Sequence, residues 1–364
     1  MSSMPAPSIP NLLSLRGSRG GSGARGRTRG RGGASAASAS PLSHDAVIQG
    51  TDTDASVSRM SAVDLEYIQD RYAQYFVPTS GTGDHVRRLP IINRGTYTRT
   101  MAIDRLVDIF LDATEGRTRQ IISLGAGTDT RVFRLFSKAK RSKLVYHELD
   151  FPAITDRKLR LIGSVPILRQ IIPPSNVAAE SRHWRGDKLP NENQYWGHCL
   201  DLRELVKTDF THLEGVQTTV PTLLISECCL CYLETSEATS IIKYFTDRIS
   251  SLALVLYEPV HPDDPFGQQM VSNLAARHIR MPTLQHYRDT EQQKSRLRRS
   301  GFDSACSSTI EDVWKNWIPT EEKERLDALE GLDEVEEWDL LARHYCVSWG
   351  WRGMALDGWR IGGS

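Results

Sequence analysis

Short apolar runs alternate with helical patterns through the middle of this chain, and this alternation limits the fold more than any other feature of the sequence. Helical spacing of apolar residues occurs over residues 62–76 and again over 101–111. Alternating strands and helices are typical of a mostly parallel sheet covered by helices on both faces. We therefore predict a doubly wound α/β fold. Five runs are predicted to be its strands, namely residues 121–124, 144–149, 195–200, 223–229 and 253–258.

The first 50 residues differ in composition from the rest of the chain. They are rich in Ser, Gly, Ala and Arg, and six arginines precede the first acidic residue, Asp45. Such a segment cannot bury enough apolar surface to fold alone, so we predict a disordered tail over residues 1–50. Its Arg-Gly character is also compatible with weak RNA binding, and its composition overlaps with that of an organelle transit peptide.

Charge and cysteine content exclude several classes of protein. The 45 basic and 45 acidic side chains cancel, so no global field attracts the chain to nucleic acid or to anionic lipid. The six cysteines form no CxxC pair and are interpreted as reduced thiols, which predicts no metal site. No apolar stretch approaches the roughly 18 residues of a membrane span. We expect a soluble, cytoplasmic protein with neither a nucleic-acid nor a membrane partner.

A tight glycine turn directly follows the first predicted strand. Gly125-Ala126-Gly127 would lie at the carboxyl edge of the sheet, where open α/β folds bind their ligands. A dinucleotide fingerprint requires a third small residue where this chain has Thr130, which counts against NAD. Asp150 ends the second predicted strand, at a spacing that suits a carboxylate accepting hydrogen bonds from a ribose diol. These residues suggest an adenosyl ligand without a pyrophosphate, and a purely structural turn is the alternative.

Two further acidic residues are expected at the same edge of the sheet. Asp201-Leu202 follows the third predicted strand, so Asp201 could accept a hydrogen bond from an adenine amino group while Leu202 packs on the ring. The alternative is an aspartate that caps a helix starting near Arg203. Glu227 lies within an apolar run, where a carboxylate is costly to bury unless it is paired or placed at an opening. We interpret Glu227 as a functional residue.

Several separate motifs occur along the chain in the order Ile92-Asn93-Arg94-Gly95 with Arg99, Leu124-Gly125-Ala126-Gly127 with Asp129-Thr130, Glu148-Leu149-Asp150-Phe151-Pro152, Asp201-Leu202, Glu227 with Tyr232, and Arg343-His344-Tyr345-Cys346. Together they resemble the motifs of the leucine carboxyl methyltransferases. The resemblance covers roughly residues 54–350. This chain departs from the family pattern after Asn93-Arg94-Gly95. Relatives tend to have an aromatic residue directly after this glycine, whereas here Thr96 comes first and the aromatic Tyr97 second.

The resemblance implies the fold of the class I S-adenosylmethionine-dependent methyltransferases, with an N-terminal helical extension and helical insertions. It implies S-adenosylmethionine as the cofactor. It also implies that the substrate is the C-terminal leucine carboxylate of the catalytic subunit of protein phosphatase type 2A, whose assembly the methyl ester regulates. Arg59 stands where relatives carry a lysine in the N-terminal segment. The implied cofactor contacts are Arg99, Gly125, Asp150, Asp201, Leu202 and Glu227.

The resemblance also implies a role for Tyr232 and boundaries for the domains. Tyr232, expected near the carboxyl end of the same strand as Glu227, would orient the substrate carboxylate through its hydroxyl, although a packing role is the alternative. Arg343, His344 and Tyr345 are candidates for the substrate entrance or for a helix that packs on the sheet. We predict a helical segment over the active site at residues 51–100 and a methyltransferase domain with substrate-recognition insertions over 101–360.

Three other functions stay open at this point. Related enzymes methylate a carboxyl group of a modified tRNA base in wybutosine synthesis, and the basic tail keeps RNA in consideration. A catalytically inactive module that only binds the cofactor or a phosphatase tail is the second. The third is a nicotinamide dehydrogenase, which would need the missing small residue and a proton-relay residue that the sequence does not offer.

Overall fold

The computed structural model describes residues 43–78, 85–138, 142–175, 182–187, 189–207, 212–333 and 335–361. The helices are α1 (His44–Asp64), α2 (Pro90–Ala113), α3 (Arg131–Phe136), α4 (Pro152–Ser164), α5 (Pro166–Ile171), α6 (Thr235–Thr246), α7 (Pro265–Ala276), α8 (Thr290–Arg299), α9 (Ile310–Trp317), α10 (Thr320–Leu329) and α11 (Val335–Arg343). The strands are β1 (Arg119–Leu124), β2 (Leu144–Asp150), β3 (His183–Arg185), β4 (Gln194–Cys199), β5 (Thr222–Glu227), β6 (Leu252–Pro259), β7 (Ser304–Thr309) and β8 (Tyr345–Arg352).

One sheet holds these eight strands in the order β3-β4-β2-β1-β5-β6-β8-β7. Strands β4, β2, β1, β5 and β6 run parallel and correspond to the five predicted strands. The chain leaves β1 in one direction to β2 and later returns to β5 on the other side, so the strand order reverses next to β1. A crevice at the carboxyl ends of the strands is expected at such a point. The predicted doubly wound, mostly parallel α/β fold is confirmed.

Three strands were not predicted, and two of them, β3 and β8, run antiparallel to the other six. β3 pairs with β4 at one edge, while β8 pairs with β6 and β7 at the other. Helix α11 ends at Arg343, and Tyr345 begins β8, so the alternative of a single helix over residues 343–345 is wrong. The reason is that β6 offers an open edge with which β8 forms a long antiparallel ladder, and local sequence does not encode such a pairing.

The core lies in two layers, one on each face of the sheet. Neighbouring residues of β1 alternate between them: Ile121 belongs to the layer beneath α2, whereas Ile122 belongs to the layer beneath α6. All six residues of β1 are buried, as expected of a central parallel strand covered on both faces. Within the described ranges, no helix is both long and apolar enough to cross a bilayer.

The N-terminal segment departs from the prediction in two places. Residues 1–42 of the predicted tail lie outside the described residues, but α1 already begins at His44. The helix predicted over 62–76 is wrong beyond Asp64, because Glu66 has a φ of +61° and the chain turns away from the helix axis. The apolar residues that suggested the helix, including Tyr67 and Tyr72, are instead buried in an irregular segment against the main domain.

Candidate active site

All seven residues predicted to bind cofactor or substrate line one cavity at the carboxyl edge of the parallel strands. Its volume is about 350 Å³. The cavity lies next to the strand-order reversal, where the ends of β1, β2, β4 and β5 and the loops that follow them meet. The predicted residues that line it are Arg99, Gly125, Asp150, Asp201, Leu202, Glu227 and Tyr232.

The glycine turn after β1 forms one wall of the cavity, and at Gly125 and Gly127 this wall consists of backbone atoms without a side chain. Gly125 has a φ of +62° and Gly127 a φ of +48°, a region that favours glycine. A Cβ at Gly125 would lie 2.5 Å from Cys229 Sγ, and one at Gly127 would lie 2.5 Å from Asp52 Oδ1. Neither position therefore has room for a side chain, and the backbone is open to a ligand.

Asp150 is held at the end of β2 by two main-chain hydrogen bonds. Its Oδ2 accepts from the amide N of Gly127 at 2.7 Å, and its Oδ1 accepts from the amide N of Phe151 at 2.7 Å. Burial raises the pKa of Asp150 to about 6, although these two amides act in the opposite direction. Each carboxylate oxygen keeps a lone pair that could accept from a ligand hydroxyl.

Arg99 of α2 and Glu227 at the end of β5 form an ion pair inside the cavity, with Arg99 Nε and Glu227 Oε1 2.8 Å apart. The Arg99 guanidinium also lies over the ring of Tyr257, 5.5 Å from its centroid. Burial alone would lower the pKa of Arg99, but Glu227 raises it above its usual value. The cavity therefore contains a permanent positive charge whose counterion is also on the wall.

Asp201 and Leu202 lie where the sequence predicts, and Asp201 also acts as a cap. Its Oδ1 accepts from the amide N of Arg203 at 2.9 Å, at the start of a 3₁₀ turn over Leu202–Val206. Nε of Arg203 lies 2.9 Å from both carboxylate oxygens. The capping role and the cavity-lining position are thus both present, and the Arg203 guanidinium already engages this carboxylate.

Tyr232 lies beyond β5 rather than near its end. The strand ends at Glu227, and Cys228 has a φ of +48°, so residues Leu230–Tyr232 form a separate 3₁₀ turn. The predicted strand over 223–229 is therefore two residues too long, because the apolar run continues into a buried turn. Burial raises the pKa of Tyr232 well above its usual value, so the phenol keeps its proton and can donate a hydrogen bond.

Helix α1 covers the cavity. Asp52 Oδ1 accepts from the amide N of Thr128 at 2.6 Å, and its Oδ2 pairs with Arg157 of α4. Arg59 lines the cavity and pairs with Asp70, with 2.6 Å between Arg59 Nε and Asp70 Oδ2. Nη2 of Arg59 is buried and has no hydrogen-bond partner among the described residues.

This chain is similar in sequence to known proteins over most of its length. The family model described as "Leucine carboxyl methyltransferase" matches residues 48–246. A "Leucine carboxyl methyltransferase 1" of Emericella nidulans is 47% identical over 375 residues, covering 96% of this chain and 95% of that protein. This chain belongs to the leucine carboxyl methyltransferase family. A protein of the same name from Aspergillus fumigatus is 45% identical, covering 98% of this chain and 98% of that protein. Another, from Schizosaccharomyces pombe, is 39% identical, covering 83% of this chain and 93% of that protein.

Several residues of this methyltransferase line the cavity without having been predicted. No sequence signal identified Asp52, because a single aspartate on a polar helix belongs to no recognisable motif. Tyr345 was a candidate for the substrate entrance or for a packing helix; it lines the cavity, and its ring stacks on that of Tyr257 with centroids 5.5 Å apart. Arg131 follows the Asp129-Thr130 motif and could have been noticed as a buried cation after a glycine turn. In the described part of the chain, no group of three or more His, Cys, Asp or Glu side chains suits a metal ion.

Proposed function

We propose that this methyltransferase uses S-adenosylmethionine to methylate the α-carboxylate of the C-terminal leucine of the catalytic subunit of protein phosphatase type 2A. The product is a leucine methyl ester, which would regulate assembly of the phosphatase holoenzyme. The observation that carries the proposal is one cavity that combines a bare glycine turn, the Asp150 carboxylate, the Arg99 guanidinium and the Tyr232 phenol. Membership of the leucine carboxyl methyltransferase family supports this choice of substrate.

The residues of the cavity fit an adenosyl amino acid. Asp150 would accept from the ribose hydroxyls, because its oxygens have lone pairs beyond those used by Gly127 and Phe151. Asp201 and Leu202 would contact the adenine. At the amino-acid end, Arg99 would bind the carboxylate, and Arg59 has an Nη2 without a partner among the described residues to share that role.

S-adenosylmethionine, when bound, supplies an electrophilic methyl group on a positively charged sulfur. The protein does not have to deprotonate the substrate, because a peptide α-carboxyl group with a pKa of about 3.3 to 3.7 is already ionised at neutral pH. An arginine bound tightly to the attacking oxygen would stabilise the ground state more than the less polar transition state. Arg99 is therefore better used on the cofactor, where Glu227 fixes its orientation.

The substrate carboxylate would be oriented by the neutral phenol of Tyr232, which donates a hydrogen bond without adding charge. One wall of the cavity is apolar, with Phe266, Met270 and Leu274 of α7 beside Leu341 of α11. This wall suits an isobutyl side chain and keeps water from the reacting carboxylate. Orientation in such a site is the main source of rate, and it can contribute on the order of 7 to 11 kcal/mol.

Cofactor affinity is expected to depend on the protonation of Asp150. The free protein has an Asp150 pKa of about 6, above the usual value of 3.8. Donors on the ribose favour the ionised form, so binding lowers this pKa and affinity rises as the pH rises through 6. Between pH 7 and pH 5 we expect calorimetric affinity for S-adenosylhomocysteine to fall by about tenfold. The Asp150→Asn variant should bind more weakly at pH 7, and its affinity should no longer change between pH 7 and pH 5. If the variant kept the pH dependence of the wild type, contact between Asp150 and the cofactor would be excluded.

The proposed function is tested by transfer of labelled methyl from S-adenosylmethionine to the purified phosphatase catalytic subunit. The subunit is supplied intact and without its terminal leucine. We expect base-labile label on the intact subunit alone, because only an ester of the terminal carboxylate is cleaved by mild base. Label on the truncated subunit, or label that resists base, would contradict a leucine methyl ester.

The same assay separates the alternatives. Transfer to tRNA but not to the subunit would favour the carboxyl methylation of a wybutosine-type base, and cofactor binding without either product would favour an inactive binding module. A free C-terminal peptide buries little surface, so we expect the folded subunit to be methylated far more efficiently than the peptide. Equal rates would mean that the tail alone is recognised.

A further inference from the structure

A chain of alternating charges starts at Arg99, continues along the cavity wall through Glu227 and Arg131, and then leaves the cavity at Asp104. Glu227 Oε1 lies 2.8 Å from Arg99 Nε, and Glu227 Oε2 lies 3.5 Å from Nη2 of Arg131. On its other side, Nε of Arg131 donates to Oδ1 of Asp104 at 2.9 Å. Arg131 also pairs through Nη1 with Asp129, so three carboxylates surround a guanidinium that is only 2% exposed.

The chain continues from Asp104 and returns to the cavity at a second arginine. Asp104 Oδ2 pairs with Nη1 of Arg134, and Arg134 Nε lies 3.9 Å from Oδ2 of Asp70. The same Asp70 oxygen lies 2.6 Å from Nε of Arg59, whose Nη2 has no hydrogen-bond partner among the described residues. Both ends of this series, Arg99 and Arg59, line the cavity, whereas Asp104, Arg134 and Asp70 do not.

The elements joined by this arginine–carboxylate chain are far apart in sequence. It links α1 and the turn after it to α2, to α3 and to the end of β5. Burial alone would raise the pKa of Asp104, but Arg134 and Arg131 hold it well below its usual value. The charges are therefore retained in a partly buried position, where the side chains of Asp104 and Arg134 are 22% and 18% exposed. A buried ion pair adds little net stability, because desolvation offsets most of the attraction, so its retention suggests a geometric role.

Arginine has a long side chain, and ordering it when a ligand binds costs conformational entropy. Arg99 and Arg59 each pair at Nε with a carboxylate. The Glu227 carboxylate lies 3.5 Å from the buried Arg131, and the Asp70 carboxylate lies 3.9 Å from the partly buried Arg134 and accepts a hydrogen bond from the amide N of Tyr72 at 3.1 Å. The terminal nitrogens of both guanidinium groups are thus set before any ligand arrives. Such preorganisation increases affinity without a direct contact to the ligand.

We propose that Asp70, Asp104 and Arg134 are positioning residues that hold Arg59 and Arg99 ready for one carboxylate of the bound ligand. This inference depends on the proposed cofactor, whose amino-acid carboxylate is the group concerned. The three residues touch no ligand themselves. They act through the arginine–carboxylate chain, so their effect on affinity must require the arginine at its end.

The proposal is tested by calorimetric titration of the full chain with S-adenosylhomocysteine. Asp70→Asn keeps the shape of the side chain but removes the charge next to Arg59, and we expect affinity to fall by about tenfold. In an Arg59→Gln background Asp70→Asn should cause no further loss, whereas in an Arg99→Gln background it should keep most of its effect. The matched control is Asp247→Asn, which breaks an exposed pair with Lys243 on α6 and should change nothing.

Asp104→Asn is the second variant and covers the case in which Asp70→Asn does not fold. Asp104 lies between the two ends of the arginine–carboxylate chain. The loss of affinity caused by Asp104→Asn should therefore be smaller when either Arg59→Gln or Arg99→Gln is already present. Unchanged affinity in folded variants, or the same loss in every background, would overturn the positioning role and leave only a contribution to stability. Failure of the wild-type protein to bind S-adenosylhomocysteine would instead refute the proposed cofactor.

Discussion

Replacing Arg99 by alanine is expected to reduce methyl transfer, as kcat/KM for the cofactor, by at least about a hundredfold. The guanidinium lies inside the cavity, and each hydrogen bond to a charged group is worth roughly 1.5 to 3 kcal/mol, so losing two such bonds costs about 3 kcal/mol or more. The substitution also leaves Glu227 without its 2.8 Å partner and exposes the ligand carboxylate to that negative charge. Steady-state kinetics and calorimetry with S-adenosylhomocysteine measure the effect.

Two further substitutions make the Arg99 result specific. Arg99→Lys keeps the charge but loses the planar fork, so only part of the affinity should return. Arg105→Ala is the matched control, because Arg105 lies on the same helix, is exposed and packs over Trp317 outside the cavity. Wild-type affinity in Arg99→Ala would show that this arginine does not bind the cofactor.

Replacing Gly125 by alanine is expected to lower both stability and cofactor affinity. The new Cβ would lie 2.5 Å from Cys229 Sγ and 2.8 Å from Cys229 Cβ, at a backbone φ of +62°. A left-handed conformation costs alanine roughly 1 to 2 kcal/mol, and overpacking adds about 1 to 3 kcal/mol. We expect the free energy of unfolding to fall by about 2 to 5 kcal/mol in urea titrations. Binding of S-adenosylhomocysteine should become undetectable, because relief of the clash moves the turn.

Gly163→Ala is the control for that experiment. Gly163 lies within α4, and a Cβ there would meet no atom within 4 Å. Alanine in a helix is favoured over glycine by roughly 0.5 to 1 kcal/mol, so this variant should be slightly more stable than the wild type and bind normally. If Gly125→Ala matched the wild type in both measurements, the tight packing of the glycine turn on Cys229 would be refuted.

The parallel part of the fold and the residues at the strand ends that line the cavity were predictable because their signals are local. A short buried strand followed by Gly125 needs only a few residues to be recognised, and Asp150 is informative because it ends the next strand. Once the strands are parallel, their carboxyl ends must meet at one edge, which brings Asp201 and Glu227 to the same cavity. The family resemblance added Arg99 and Tyr232, which no local pattern indicates.

The sequence by itself determined the parallel strands, the glycine turn and the acidic residues at the strand ends, since hydrophobic periodicity and turn chemistry act over a few neighbouring positions. Only the tertiary structure decided that β8 pairs antiparallel with β6, and that α1 covers the cavity. It also decided that Asp104 joins Arg131 to Arg134. These features depend on contacts between segments that are far apart in sequence. Such contacts are stabilised by burial and charge pairing, and neither produces a periodic pattern in the sequence.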